Sequence, residues 1–272
     1  MRNYRGRVVV ITGAGSGIGQ ALAVQLADHG ARLALSDINE ESVAATAAEC
    51  ARRGADVAHF GLDVSDRDAV YAHAATVAEH FGVVHLVINN AGVAVHAGIQ
   101  DMSDEDMAWI MDINFWGVVH GTRAFLPHLI ASGHGQLANV SSLFGLIAAP
   151  KDSAYNASKF AVRGFTESIR QELRIERRPV SVSCIHPGGI KTAIARTARV
   201  AAGDDPAAVT ALFDRVALTT PESAARTIIS GLRRERSRIL VGPDAWLIAA
   251  LPRLLGAHYS LAVETGARLL SV

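Results

Sequence analysis

The feature that most constrains the fold is the passage from "RVVVIT" (7–12) into "TGAGSGIG" (12–19) and on into "GIGQALAVQLADHG" (17–30). An apolar, β-branched run that gives way to glycines and then to an amphipathic stretch reads as a buried strand, a tight turn and a helix. Gly13, Gly15, Gly17 and Gly19 fall where strand becomes helix. Glycines there permit a tight turn and let backbone N–H groups approach a pyrophosphate at the helix N-terminus. An ordinary glycine-rich turn would look the same from this segment alone. The spacing is GxxxGxG rather than GxGxxG, and no Lys-Ser/Thr pair follows, so it is not a Walker loop.

The alternation continues along the chain. Strands are predicted at 32–37, 56–64, 83–92, 135–142, 180–189 and 237–242, and helices at 40–54, 66–81, 103–132, 153–176 and 221–234. Pro127 is expected to kink or break the long helix that contains it. Regular strand–helix alternation without a composition break predicts an α/β fold, a doubly wound parallel sheet covered on both faces. Residues 1–242 read as one domain, 190–215 as a substrate loop, with 191–209 a flexible stretch or lid, and 243–272 as a helical extension packed on the domain or on a partner subunit.

Asp37 ends the second strand. A carboxylate there can accept hydrogen bonds from both ribose hydroxyls of an adenosine and would repel a 2′-phosphate. No Arg or Lys stands at Ile38 or Asn39, and the glycine loop carries Ser16 rather than a base, so NAD is favoured over NADP. Helix capping is the alternative role for Asp37. Asp63, in "GLDVSD", is placed either to meet the adenine amino group or to close a turn, with Ser65 or Asp66 as the cap of the next helix.

In "SAYNASKFAV" (153–162), Tyr155 and Lys159 lie one helical turn apart on one face. Moving a hydride to or from an alcohol carbon also requires a proton to move at the oxygen. Tyrosine near pKa 10 is too weak a base at pH 7, and bringing it to about 7 needs roughly 4 kcal/mol of support for the phenolate. An ammonium about 4 Å away supplies a contribution of that size at an effective dielectric near 20. The pair is therefore predicted to be a tuned proton carrier. Ser142 reads as a group that orients the substrate oxygen, since no His-Asp pattern surrounds it to make it a nucleophile.

These segments, in order, resemble the short-chain dehydrogenase/reductase family: "TGAGSGIG" (12–19), "NNAG" (89–92), Asn114 in "DINFWG", "NVSSLFG" (139–145), "YNASK" (155–159) and "HPGGIKT" (186–192). The resemblance implies a Rossmann-type domain of seven parallel strands in the order 3-2-1-4-5-6-7. It implies a catalytic group of Asn114, Ser142, Tyr155 and Lys159, with Asn114 positioning a water that links Lys159 to solvent. Ser142, rather than Ser141, is the matching serine. It also implies cofactor contacts at Gly13, Ser16, Gly17, Ile18, Gly19, Asp37, Asp63, Val64, Asn90, Gly92, Ile190 and Thr192, besides Tyr155 and Lys159. A homodimer or homotetramer, through the helices near 103–131 and 153–176, is implied as well.

Composition excludes some partners. With 26 basic and 26 acidic residues the formal charge is zero, which offers no electrostatic grip on nucleic acid or on an anionic membrane. The eleven histidines show no metal-ligand spacing, so no metal is expected; His186 is the one that could line the site. Cys50 and Cys184 read as buried thiols, consistent with a cytoplasmic setting. The N-terminal apolar run is too short for a secretory signal. "AWLIAALPRLLGAHY" comes nearest to a membrane span, but Pro252 and Arg253 interrupt it; a peripheral membrane helix is an alternative reading.

Val93, Leu143, Phe144, Ile190, Ile194, Leu212 and Phe213 are the candidate pocket residues, which predicts an apolar small-molecule substrate, a lipophilic secondary alcohol or ketone. Arg196 and Arg199 could instead meet an anionic group. Two competing functions remain at this point. One is a dinucleotide-binding sensor or scaffold without turnover, and the other an isomerase or dehydratase that retains its cofactor.

Overall fold

Strand β1 (Val8–Thr12) is buried along its whole length, as its unbroken apolar run requires. Its alternate side chains serve different layers. Val9 and Ile11 pack with helices α1 (Gly17–Asp28), α2 (Glu40–Arg52) and α8 (Pro221–Arg233). Val8 and Val10 pack on the other face with α3 (Arg67–Phe81), α5 (Gly117–Ala131) and α6 (Ser153–Ile175). The computed structural model describes residues 3–269; the outermost ends of the expected 1–242 and 243–272 segments lie outside the described residues.

Seven parallel strands form the central sheet. They are β1, β2 (Arg32–Asp37), β3 (Val57–Gly61), β4 (Leu86–Asn89), β5 (Gly135–Val140), β6 (Val180–Pro187) and β7 (Arg238–Val241). Their order is β3-β2-β1-β4-β5-β6-β7, the doubly wound Rossmann-type arrangement. The chain reverses direction across the sheet between β1 and β4, and ligand sites of such sheets lie beyond the strand C-termini at that crevice. Asp37, Asn89, Val140 and Pro187 all end strands on that side.

Three local readings need correction. The helix expected over 103–132 is α4 (Asp104–Met111), a π-helical turn at Asp112–Trp116, and α5. Pro127 sits inside α5 without ending it. Its ring is exposed, so water can satisfy the Arg123 carbonyl that loses its N–H partner. The substrate loop holds a helix, α7 (Pro206–Val216), capped by Asp205 and started by Pro206, a start signal that the sequence does carry. A two-residue strand at Arg199–Val200 also pairs with Val95–His96.

The third correction is at Pro252, expected to interrupt the tail. Helix α9 (Pro243–Leu255) continues through Pro252, and a short 3-10 turn joins it to α10 (Tyr259–Leu269). Only its inner edge packs: Ala245 is fully buried in a cluster with Leu143 and Leu146. Trp246, Leu247, Leu254 and Leu261 point to solvent, from 58 to 79 % exposed. The helical segment Pro243–Arg268 is thus long and apolar enough, by length and composition, to cross a membrane, despite Pro252 and Arg253.

Candidate active site

The glycine loop is braced from the sheet. Asn90 donates its side-chain N–H groups to the carbonyls of Thr12 and Gly13, both at 3.0 Å, while Thr12 Oγ1 accepts from the backbone of Asn90 and Ala91. Asn90 therefore acts on the loop rather than offering a free amide. A Cβ on Gly19 would collide with the Gly13 carbonyl oxygen, so backbone fills the space a side chain would take.

Helices α2, α3, α4, α7 and α8 each have a side-chain cap, whereas Ser16 makes no such bond at the start of α1, as Asp152 makes none at α6 and Gly242 none at α9, and the first turn of α1 holds no acid. The amides around Gly17, Ile18 and Gly19 thus open a helix N-terminus suited to a pyrophosphate. Thr192 arrives against it: a Cβ on Gly17 would lie 3.1 Å from Thr192 Cγ2.

Asp37 does not cap α2; Asn39 does, accepting from Ser42 N–H at 2.9 Å. One oxygen of Asp37 accepts from Gly15 N–H at 2.9 Å and the other from Asn39 N–H at 3.0 Å, which ties the acid to the glycine loop. Asp63 closes its own turn through Ser65 N–H, and Asp66 caps α3. Val64 is buried against Gly117, where an added Cβ would meet Val64 Cγ2 at 2.8 Å.

At the reacting end, Tyr155 and Lys159 share one face of α6, with Nζ 5.5 Å from the centre of the phenol ring. Lys159 is buried and donates to the Val140 carbonyl at 3.3 Å. The Ser142 hydroxyl lies within hydrogen-bonding reach of the phenol and accepts from Phe144 N–H at 3.1 Å. Ser141, beside it, donates to the Lys159 carbonyl and so braces α6.

Burial pushes the Tyr155 phenol up to about 12, against the opposing hydrogen bond from Ser142 and with support from the Asp152 charge. Burial also brings the Lys159 ammonium down to about 8. Desolvation thus works against the lowering of the phenol expected from this pair.

Asn114 sits in the π-helical turn, fully buried. It accepts from Val93 N–H at 2.8 Å and donates to the Val93 carbonyl and to Ser158 Oγ. Such turns recur at functional sites, and this one delivers Asn114 beside Gly92. A Cβ on Gly92 would lie 3.1 Å from Asn114 Oδ1 and 3.2 Å from Lys159 Nζ. Ser158, which the sequence reading passed over, donates to the Tyr155 carbonyl and so links the two groups. Its place in "YNASK" was the available signal.

His186 does not line the site. It is fully buried behind it, and Nδ1–H donates to the Ser142 carbonyl at 2.8 Å; burial holds its pKa at about 4. Leu143 and Ile190 are likewise taken up in packing, Leu143 with the tail and Ile190 in the core. Val93, Phe144, Ile194, Leu212 and Phe213 keep part of their surface free. Arg199 is committed to Asp106 at 2.9 Å and stacks 3.8 Å over the Trp109 ring, and Arg196 faces Asp214 at 3.8 Å. Among the described residues no group of three or more His, Cys, Asp or Glu could hold a metal ion.

A family model for short chain dehydrogenase matches residues 7–202. The oxidoreductase named SadH of Mycobacterium tuberculosis is 52% identical over 267 residues, 98% of this chain and 97% of that protein. The Mus musculus protein named epidermal retinol dehydrogenase 2 is 35% identical over 255 residues, 93% of this chain and 80% of that one. Among solved structures, a short chain dehydrogenase/reductase from Burkholderia phymatum in complex with NAD aligns with a TM-score of 0.88 at 31% identity, covering 96% of this chain and 97% of that one.

Proposed function

This chain belongs to the short-chain dehydrogenase/reductase family of oxidoreductases, whose cofactor is a nicotinamide dinucleotide, and we propose that it moves a hydride between NAD and a lipophilic secondary alcohol or ketone. The single observation that carries this reading is the convergence of Ser142, Tyr155 and Lys159 beside Gly92 at the crevice where the uncapped N-terminus of α1 opens.

The nicotinamide accepts or gives the hydride and, when oxidised, adds a positive charge to the site. Gly17, Ile18 and Gly19 would hold the pyrophosphate by their amides, and Asp37 the adenosine ribose. The two bonds Asp37 already receives leave lone pairs for the hydroxyls. Val64 and Asp63 would flank the adenine, and the Ile190 backbone and Thr192 would meet the nicotinamide end.

Tyr155 would hold the proton. In the reducing direction its phenol, protonated at neutral pH, stands ready to donate to a carbonyl oxygen that Ser142 fixes in place. In the oxidising direction the phenolate needs positive charge nearby, which Lys159 supplies from one turn away. Asn114 and Ser158 keep the Lys159 surroundings polar and ordered, which favours a water link to solvent.

The half-free apolar side chains of Val93, Phe144, Ile194, Leu212 and Phe213 favour a lipophilic substrate, and the relative named for retinol points the same way. Exposed Trp116 and Phe160, at the start of α5 and on α6, suit a homodimer or homotetramer. Two buried free thiols suit a reducing, cytoplasmic setting.

The test is a panel of lipophilic secondary alcohols with NAD or NADP, followed by absorbance of the reduced cofactor. Turnover with NAD is expected, and Tyr155→Phe is expected to lower kcat by about 10²–10⁴-fold with the melting temperature unchanged. A clear preference for NADP would overturn the role given to Asp37. Full activity in Tyr155→Phe would overturn the mechanism.

A further inference from the structure

We infer that Asp244, in the first turn of tail helix α9, is a positioning residue for the cofactor: it fixes the Gly188–Lys191 turn that leads into Thr192, and so makes the tail part of the dinucleotide site. The inference rests on the proposed contacts of Ile190 and Thr192 with the nicotinamide end.

An acid in the first turn of a helix ordinarily serves that helix, through its dipole or its free amides. Asp244 does otherwise. Its Oδ2 accepts from Gly189 N–H at 2.7 Å, a contact reaching back 55 residues. Its Oδ1 is buried and has no hydrogen-bond partner among the described residues. A carboxylate oxygen left in that state is unfavourable unless its placement is fixed by something else. Here the bond from Gly189 N–H to the other oxygen offsets that cost and ties the carboxylate to the 188–191 turn.

That turn is held from two sides. Residue 219 takes one side: Thr219 N–H donates to the Gly189 carbonyl at 3.1 Å and Lys191 N–H donates to the Thr219 carbonyl at 2.9 Å. Asp244 takes the other. The two glycines follow from this packing. A Cβ on Gly188 would collide with the Asp244 carboxylate, and one on Gly189 would lie 2.9 Å from the Ala217 Cα. Chain position thus accounts for the pair in "HPGGIKT" through neighbours inside the protein. The turn then carries Ile190 into the core and Thr192 against Gly17 at the start of α1. A shift of the turn moves Thr192 relative to that helix end, and small displacements of positioning groups are costly to binding and turnover.

The test compares Asp244→Ala with Asp244→Asn, each assayed well below its melting temperature. Asparagine keeps an acceptor for Gly189 N–H but removes the charge. Two measurements are made on each: hydrogen exchange of the peptide spanning 186–192 without cofactor, and NADH binding by calorimetry. Asp244→Ala should speed exchange at Gly189 and weaken NADH binding about tenfold, the size of one hydrogen bond. Asp244→Asn should behave as wild type in both.

Equal losses in both variants would mean that the charge serves α9, and would overturn the inference. Wild-type NADH affinity in Asp244→Ala, with faster exchange at Gly189, would overturn it too, since the contact would exist without serving the cofactor. Failure of the wild-type protein itself to bind NADH would instead overturn the proposed function, and this inference with it.

Discussion

The layer formed by α1, α2 and α8 and the tail formed by α9 and α10 have similar raw material and opposite fates. In the first, Leu22, Leu26, Val43, Ile228 and Leu232 are fully buried against the sheet. In the second, Leu247 and Leu254 stand 71 % and 79 % exposed, and the attachment rests on Ala245 with the half-buried Ile248 and Ala249, the Asp244–Gly189 bond and the Tyr259 hydroxyl that accepts from Ala148 N–H. An apolar stripe becomes core only where another layer meets it. The tail is therefore joined to the site by a few directional contacts, whereas the cofactor crevice is held by the sheet itself.

That contrast can be broken most severely at the crevice. Gly19→Ala places a methyl group against the Gly13 carbonyl oxygen, which the sheet, through Asn90, holds in place. We expect loss of measurable NADH binding by calorimetry and a stability loss of about 1–3 kcal/mol in urea unfolding, as for other overpacked sites. Wild-type binding in this variant would show the glycine loop to be as yielding as the tail.

A smaller effect should come from His73, on α3 between Phe60 and Phe125, whose two ring nitrogens are buried without partners. Burial lowers its pKa to about 4, below its unfolded value. The unfolded chain therefore binds the proton first as pH falls. The His73 contribution to stability is highest above about pH 6.5, drops as pH falls toward 4, and levels off below that. For this residue alone the loss between pH 7.5 and 5 is about 2 kcal/mol. Urea unfolding at the two pH values should show a shallower difference in His73→Phe than in wild type; an unchanged difference would place the acid sensitivity elsewhere.

The smallest effect is expected in the tail. Tyr259→Phe removes one hydrogen bond at an exposed amide and should cost less than about 1 kcal/mol. Thermal unfolding checks it. A loss of several degrees would sharpen the comparison by showing the tail to be more firmly seated than its exposure suggests.

Much of the candidate site was legible because its signals are local. The glycine loop, Asp37 at a strand end and the Tyr155–Lys159 spacing each depend on neighbours in sequence. Other features had no such signal. The π-helical turn that presents Asn114 lies inside a pattern that reads as one helix, since a single extra residue in a turn leaves periodicity almost intact. Helix α7 did carry a signal, in Asp205 and Pro206, but its weakly buried face masked it.

By itself, the sequence determined the alternation of strand and helix, and with it the parallel sheet, because apolar period and glycine punctuation act within a few residues. Only the tertiary structure decided where the long-range polar partners fall. It placed His186 on the Ser142 carbonyl, Asn90 on the glycine loop and Asp244 on Gly189, and it left the apolar face of the tail without a covering layer. The physical reason is that a hydrogen bond between distant residues, or the burial of a helix face, depends on which surfaces the fold brings within a few ångströms, and no spacing along the chain encodes that distance.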